Sequence, residues 1–225
     1  MDLPPGFDAE GRKGKVFRLK KCLYGLKQSP RAWFDRFTKA VQQHGYRQAH
    51  TDHTLFYKTH GGKIAILIVY VDDVILIRDN KTEIVEIKGT LAKEFEMKDL
   101  GSLRYFLGME IARNKAGISV SQRKYVLDLL KETGMMGCKL VDTPMDPNVK
   151  LEMNSDDEPV DKGRYQRLVG KLIYLALTRP DIAFAVSCVS QFMHSPANSH
   201  VNAVYRVLKY LKGTPRRGLF FKKNA

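Results

Sequence analysis

Ile64-Ala65-Ile66-Leu67-Ile68-Val69-Tyr70-Val71, then Asp72-Asp73, then Val74-Ile75-Leu76-Ile77 is the stretch on which the fold turns. Apolar runs of this length read as two strands, and the carboxylate pair between them reads as the break. Strands so apolar are expected to be buried on both faces. An ionised carboxylate cannot share that burial unless it is paired or bound to a cation, so the aspartates must sit at a sharp turn facing water or metal. Two readings of the turn stand side by side. Aspartate is a good turn residue, which makes a plain hairpin sufficient. Asp-Asp is not a favoured hairpin pair, however, and nothing in the turn supplies a counter-charge. Paired carboxylates suit a hard divalent cation of the kind phosphoryl-transfer enzymes use.

Working outward, Gly61-Gly62 turns a short strand at Thr54 to Lys58 into the apolar run. Upstream, Ser29-Pro30 opens a helix whose apolar positions Trp33, Phe34, Phe37, Ala40 and Val41 follow the 3.6 period until Gly45. Residues 16–21 read as extended. Downstream, Ile84, Ile87, Leu91 and Phe95 mark an amphipathic helix over 81–95. A second hairpin follows, with strands at Tyr105 to Ala112 and Ile118 to Ser121 around a turn at Asn114 to Gly117. A helix at Lys124 to Glu132 stops at Gly134. Residues 142–163, rich in proline and acid, read as a linker or mobile loop. Three helices complete the chain: Arg164 to Leu177, one opened by Thr178-Arg179-Pro180-Asp181 with threonine as its cap, and one from Ser195-Pro196 to Lys212. The last places Arg206, Lys209 and Lys212 on one face, either solvated or touching phosphates. His200 is expected to serve its start. The class is α+β.

Composition narrows the function. With 225 residues, 44% hydrophobic and 28% charged, the chain is neither disordered nor a membrane protein, since its longest apolar run is far below the roughly 20 residues of a span. Three scattered cysteines exclude a disulfide scaffold and a cysteine zinc site, and they fit a reducing compartment. His50 and His53 have no third ligand at zinc spacing. Nothing resembles a signal peptide, so an intracellular location, cytoplasmic or nuclear, is expected. The 38 basic and 24 acidic residues give +14, concentrated at the ends: residues 1–50 and 201–225 each carry +7, and the middle is neutral. That pattern suits a polyanion, most often nucleic acid, and also suits a merely soluble basic surface.

Tyr70-Val71-Asp72-Asp73 on a strand–turn–strand resembles the Y-x-D-D motif of reverse transcriptases. Leu23 to Phe34 (LYGLKQSPRAWF), Met97 to Ile111 (MKDLGSLRYFLGMEI), Leu175 to Pro180 (LALTRP) and Arg206 to Thr214 (RVLKYLKGT) resemble further stretches of copia-type LTR retrotransposon polyproteins, in the family's order. The resemblance implies a partial polymerase palm, an antiparallel sheet plus helices, and the start of a thumb over 1–141. It implies a linker at 142–163 and a helical connecting region over 164–225. Asp72 and Asp73 would be the catalytic, metal-binding carboxylates, Asp72 foremost, with Mg²⁺ or Mn²⁺ as cofactor. Tyr70 would lie under the incoming nucleotide or primer end. Tyr24 and Gly25 would line the nucleotide pocket with Lys27 and Gln28 nearby. Phe106, Leu107, Gly108 and Met109 would grip the primer. Trp33 and Phe106 also read as plain core aromatics.

The implied activity is RNA-directed DNA synthesis. Its partners would be an RNA template, a DNA primer, deoxynucleoside triphosphates, and the integrase and RNase H parts of the polyprotein. The family draws one more carboxylate from a strand that precedes a segment like Pro4-Pro5-Gly6-Phe7, and Asp2, Asp8 and Glu10 do not replace it. Residues 1–225 alone are therefore expected to show no polymerase activity. The alternative is a non-catalytic nucleic-acid-binding remnant of a degenerate element.

Overall fold

The computed structural model describes residues 25–78, 81–148, 150–152, 158 and 160–223. They form an α+β protein of two compact units, divided between Leu100 and Gly101. Each unit has its own four-stranded antiparallel sheet, and six α-helices are distributed between them. The expected extended segment at 16–21 lies outside the described residues.

In the first unit α1 (Ser29–Gln43) precedes β1 (Arg47–Gln48), β2 (Leu55–His60), β3 (Lys63–Tyr70) and β4 (Asp73–Arg78), which pair in that order, and α2 (Lys81–Glu94) follows. Gln28, not Ser29, takes the cap position of α1, so the helix begins one residue earlier than Ser-Pro suggests. Gly45 ends it as expected: its φ of 82° suits glycine, and its N–H donates to the Gln42 carbonyl. Phe37, Ala40 and Val41 of α1 and Ile87 and Leu91 of α2 pack on Phe56, Ala65, Leu67 and Val69 of the sheet. Trp33 stacks on Phe37 with ring centroids 5.1 Å apart, so it belongs to this core. The expectation of strands buried on both faces is corrected. Ala65, Leu67 and Val69 are buried, but Ile64 is 48% exposed and Ile77 52%. Among the described residues the helices cover one face of the sheet only.

The second unit opens with a meander of β5 (Tyr105–Phe106), β6 (Met109–Asn114) and β7 (Gly117–Ser121). The single strand expected at 105–112 is in fact two, broken by a turn at Leu107-Gly108. Six stretches of helix follow: α3 (Arg123–Glu132), a 3₁₀ turn (Met135–Gly137), α4 (Lys162–Ala176), a second 3₁₀ turn (Pro180–Ile182), α5 (Ala183–Ser190) and α6 (Asn198–Gly213). Asp161 caps α4 by accepting from the Arg164 N–H at 2.9 Å. His200 is buried at the start of α6, where its Nδ1 accepts the Ala197 N–H at 2.9 Å. Thr178 is not the cap read from sequence; its hydroxyl donates to Gln122 Oε1 at 2.7 Å. Val126, Leu129, Val169, Leu172, Val204 and Leu208 share one core with Met145 and Leu151 packed against it. Residues of the proline-rich segment are thus seated on the helices, and Arg206 holds Asp146 at 3.2 Å.

The chain closes on a strand that the helical reading of 164–225 did not anticipate. β8 (Gly218–Lys222) pairs antiparallel with β7. Two glycines permit it. A Cβ on Gly117 would stand 2.1 Å from the Phe221 carbonyl oxygen, and one on Gly218 would stand 2.2 Å from that of Val120. Gly218→Ala is therefore expected to cost β8 its partner. Amide exchange at 218–222 should accelerate at least about tenfold while the α4–α6 core keeps its protection.

Candidate active site

The β3–β4 hairpin carries the carboxylates on its tip. Tyr70 pairs with Asp73 and Val69 with Val74. Because directly opposed residues share a face, Tyr70 and Asp73 stand on the side away from the core that holds Val69. Asp72 lies in the turn itself, and both aspartates are exposed. Among the described residues neither carboxylate has a hydrogen-bonding or cationic side-chain partner, so two negative charges sit side by side uncompensated. Val71 makes the reversal with a φ of 51°, a conformation that a β-branched side chain resists.

The FLGM stretch forms the second tight turn, in the other unit. Phe106 pairs with Met109, and Leu107 and Gly108 have φ of 48° and 78°. Positive φ at both central residues gives the primed turn that matches strand twist. The Tyr174 hydroxyl donates to the Leu107 carbonyl. Tyr125 packs edge-on against Tyr174 at 5.5 Å, and both rings face the Gly108 α-carbon. Burial, reinforced by Tyr174 and Glu132, pushes the Tyr125 hydroxyl above its ordinary pKa. Just beyond the turn, Glu110 Oε1 accepts the Lys124 N–H at 2.8 Å and so caps α3, which has no cap of its own. Glu110, Gln122, Tyr125 and Tyr174 are supports that the sequence did not single out. The available signal was weak: Tyr174 directly precedes the LALTRP stretch.

Val71 and Leu107 are the non-glycine residues with positive φ among the described residues. Each occupies a motif turn. Strain of this kind persists where surrounding structure over-determines the backbone, and it concentrates at functional turns. The remaining sequence candidates are less organised. Gly25, with φ of 89°, Lys27 and Gln28 are exposed ahead of α1. No side-chain bond joins Lys27 or Gln28 to the Asp72–Asp73 turn among the described residues. Tyr24 lies outside them. The described residues also contain no group of three His, Cys, Asp or Glu side chains able to enclose a metal ion. None of their helices is long and apolar enough to cross a membrane.

The family model for reverse transcriptase (RNA-dependent DNA polymerase) matches residues 1–147, which include both strained turns and the Asp72–Asp73 pair. The chain belongs to the reverse transcriptase family. Its relatives include copia-type Pol polyproteins. A retrovirus-related Pol polyprotein from transposon RE1 of Arabidopsis thaliana is 43% identical over 223 residues, 99% of this chain and 15% of the relative. One from transposon TNT 1-94 of Nicotiana tabacum is 38% identical over 95% of this chain and 17% of its own length. A putative transposon Ty5-1 protein of Saccharomyces cerevisiae is 32% identical, covering 99% of this chain and 73% of the relative. No solved structure matches. The chain thus spans about a sixth of the Pol polyproteins it resembles.

Within this reverse transcriptase sequence the strain at Val71 is open to measurement. Val71→Gly should relieve a conformation that costs about 1–3 kcal/mol, in part offset by the added freedom of the unfolded chain. Urea unfolding followed by the single tryptophan, Trp33 in the α1 core, should shift to higher denaturant. An unchanged midpoint would mean that the turn stores no strain.

Proposed function

We propose that the Asp72–Asp73 turn is part of the polymerase centre of an RNA-directed DNA polymerase. The observation that carries this is the pair of exposed carboxylates, without a counter-charge among the described residues, on a strained hairpin tip in the family-matched region. In this reading the first unit is palm, the hairpin and α3 begin the thumb within 1–141, residues 142–163 link, and 164–225 connect onward.

The donor chemistry fits a hard divalent cation, because carboxylate oxygens are its preferred ligands. Asp72 and Asp73 would hold it together with a carboxylate from outside the described residues. When bound, Mg²⁺ or Mn²⁺ eases deprotonation of the primer 3′-hydroxyl and neutralises charge on the transferring phosphate. The chain's own groups position the substrates. Tyr70 shares the sheet face of Asp73 and would support the nucleotide or primer end. Gly25, Lys27 and Gln28, with Tyr24, would border the triphosphate. The Phe106–Met109 turn, held by Tyr174, would grip the primer strand.

The test is primer extension on a primed RNA template by a chimera joining the upstream palm and fingers of a related polyprotein to residues 1–225. Extension dependent on a divalent ion and on both aspartates supports the reading. Residues 1–225 alone should incorporate no nucleotide, since the described residues gather only two of the needed carboxylates. Incorporation by them, lost in Asp73→Asn, would show that a carboxylate within the chain completes the centre. A second reading, nucleic-acid binding without catalysis, is favoured by the two basic ends, and a chimera that binds primed template but never extends it would establish it.

A further inference from the structure

We infer that β8 and its flanks form a platform for single-stranded nucleic acid, with Phe221 as the residue on which a base stacks. β8 is the end strand of its sheet among the described residues. Phe221 is 57% exposed and lies opposite Ile118, itself 37% exposed, on one face of the β7–β8 pair. Arg113 continues the same row on β6, opposite Ile118. A cation, an aliphatic side chain and an aromatic ring therefore stand in line across three strands, about 4.8 Å from one to the next. The neighbouring Phe220, 53% exposed, points to the other face, where the tip of its ring would stand 3.0 Å from a Cβ on Gly117. Phe220 shares its face with Glu110, whereas Phe221 is in line with Arg113. No ring in the described residues stacks on Phe221.

Charge chooses the occupant. From Val201 to the end the chain has seven basic residues and no acidic one. Arg216 precedes β8, and Lys222 and Lys223 follow Phe221 in sequence; none has an ion-pair partner among the described residues. The one acid in the strands of this sheet, Glu110, is on the opposite face and is engaged by the Lys124 N–H. A second copy of β8 would bring like charges together. A duplex keeps its bases stacked on one another and offers none to Phe221. Unpaired nucleotides present both a π-face and a phosphate at each step, which is what alternating aromatic and cationic groups recognise.

The experiment is fluorescence anisotropy of labelled oligo(dT) with the 225-residue chain, beside an abasic strand of equal length and a blunt DNA duplex. Oligo(dT) should bind more tightly than the abasic strand. Phe221→Ala should weaken oligo(dT) about tenfold and leave the abasic strand unchanged, whereas Phe221→Tyr keeps affinity. The double change Lys222→Gln, Lys223→Gln should make log K fall less steeply with log salt, by roughly 0.7 for each phosphate that is no longer neutralised. Equal binding of oligo(dT) and the abasic strand would overturn the stacking role. So would a Phe221→Ala chain that binds oligo(dT) unchanged, or one that loses self-association in sedimentation instead. Phe221→Tyr must fold like the parent by circular dichroism, so it tests the platform even if Phe221→Ala does not fold. No catalysis is measured, and failure here leaves the Asp72–Asp73 reading intact.

Discussion

Primer extension by the chimera is expected to fall at least about a hundredfold in Asp73→Asn and in Asp72→Asn, since each removes several kcal/mol of charge stabilisation from the transition state. Asparagine keeps the size and polarity of the side chain, so the hairpin should persist. Both residues are exposed and bond to no other described side chain, which makes a folding defect a poor explanation for lost activity. Affinity for the primed template, measured by anisotropy, should change by less than about twofold, because phosphate contacts come from basic side chains elsewhere. A loss confined to turnover would separate metal binding from substrate binding. Equal extension by parent and variants would remove the turn from the chemistry.

Arg179→Met is expected to destabilise the second unit by about 3–5 kcal/mol, the range for breaking one side of a buried ion pair. Arg179 is 1% exposed. Its Nε and Nη2 donate to the two oxygens of Asp181 at 2.8 and 2.7 Å, and Nη1 donates to the Thr214 carbonyl at 2.9 Å. Tyr210 donates to the same carboxylate at 2.8 Å and in turn accepts from Arg217 at 2.7 Å. Methionine fills the volume of the stem but leaves Asp181 and Thr214 short of donors. Arg179→Lys should fare little better, since an ammonium cannot bridge both carboxylate oxygens and the carbonyl. Urea unfolding followed by far-ultraviolet circular dichroism reads the effect, because this unit holds four of the six helices. Acid offers an independent check. The hydrogen bonds from Arg179 lower the Asp181 pKa in the fold. Its contribution is therefore complete above the unfolded value of about 3.9 and disappears as pH falls through the lower folded value. Arg179→Met should lack that acid-sensitive part.

The elements with a strong local signal were legible in the sequence. α1, α2, α3 and the β3–β4 hairpin were each announced by a periodicity and a terminator such as Gly45, Asp72-Asp73 or Gly134. Where the reading failed, long-range partners decided. Thr178 looked like a cap because capping is local; Gln122, 56 positions away, claims its hydroxyl. The Tyr105–Ala112 strand looked continuous because Leu107 is not a turn former, and only Gly108 hinted at the reversal that Tyr174 holds. β8 was missed because its five residues come shortly after a helix and take their conformation from β7, about a hundred residues earlier. At the candidate site the carboxylate pair was written in Asp72-Asp73. The strain at Val71 was not, since nothing in a valine signals positive φ.

The pairing of Gly117 with Lys222 also sets a clock. In a polypeptide made from its N-terminus at about 5–20 residues per second, β7 waits roughly 5–20 s for the strand that completes its sheet. Throughout that interval its edge is open to any extended segment nearby, including the same strand of another nascent chain on the same messenger. The family match ends at residue 147, well inside this interval. A chain cut there would keep β7 and lose β8 for good, making the delay permanent. Expression boundaries chosen from the family match alone should therefore yield aggregates, and extending them past Lys222 should give β7 its partner.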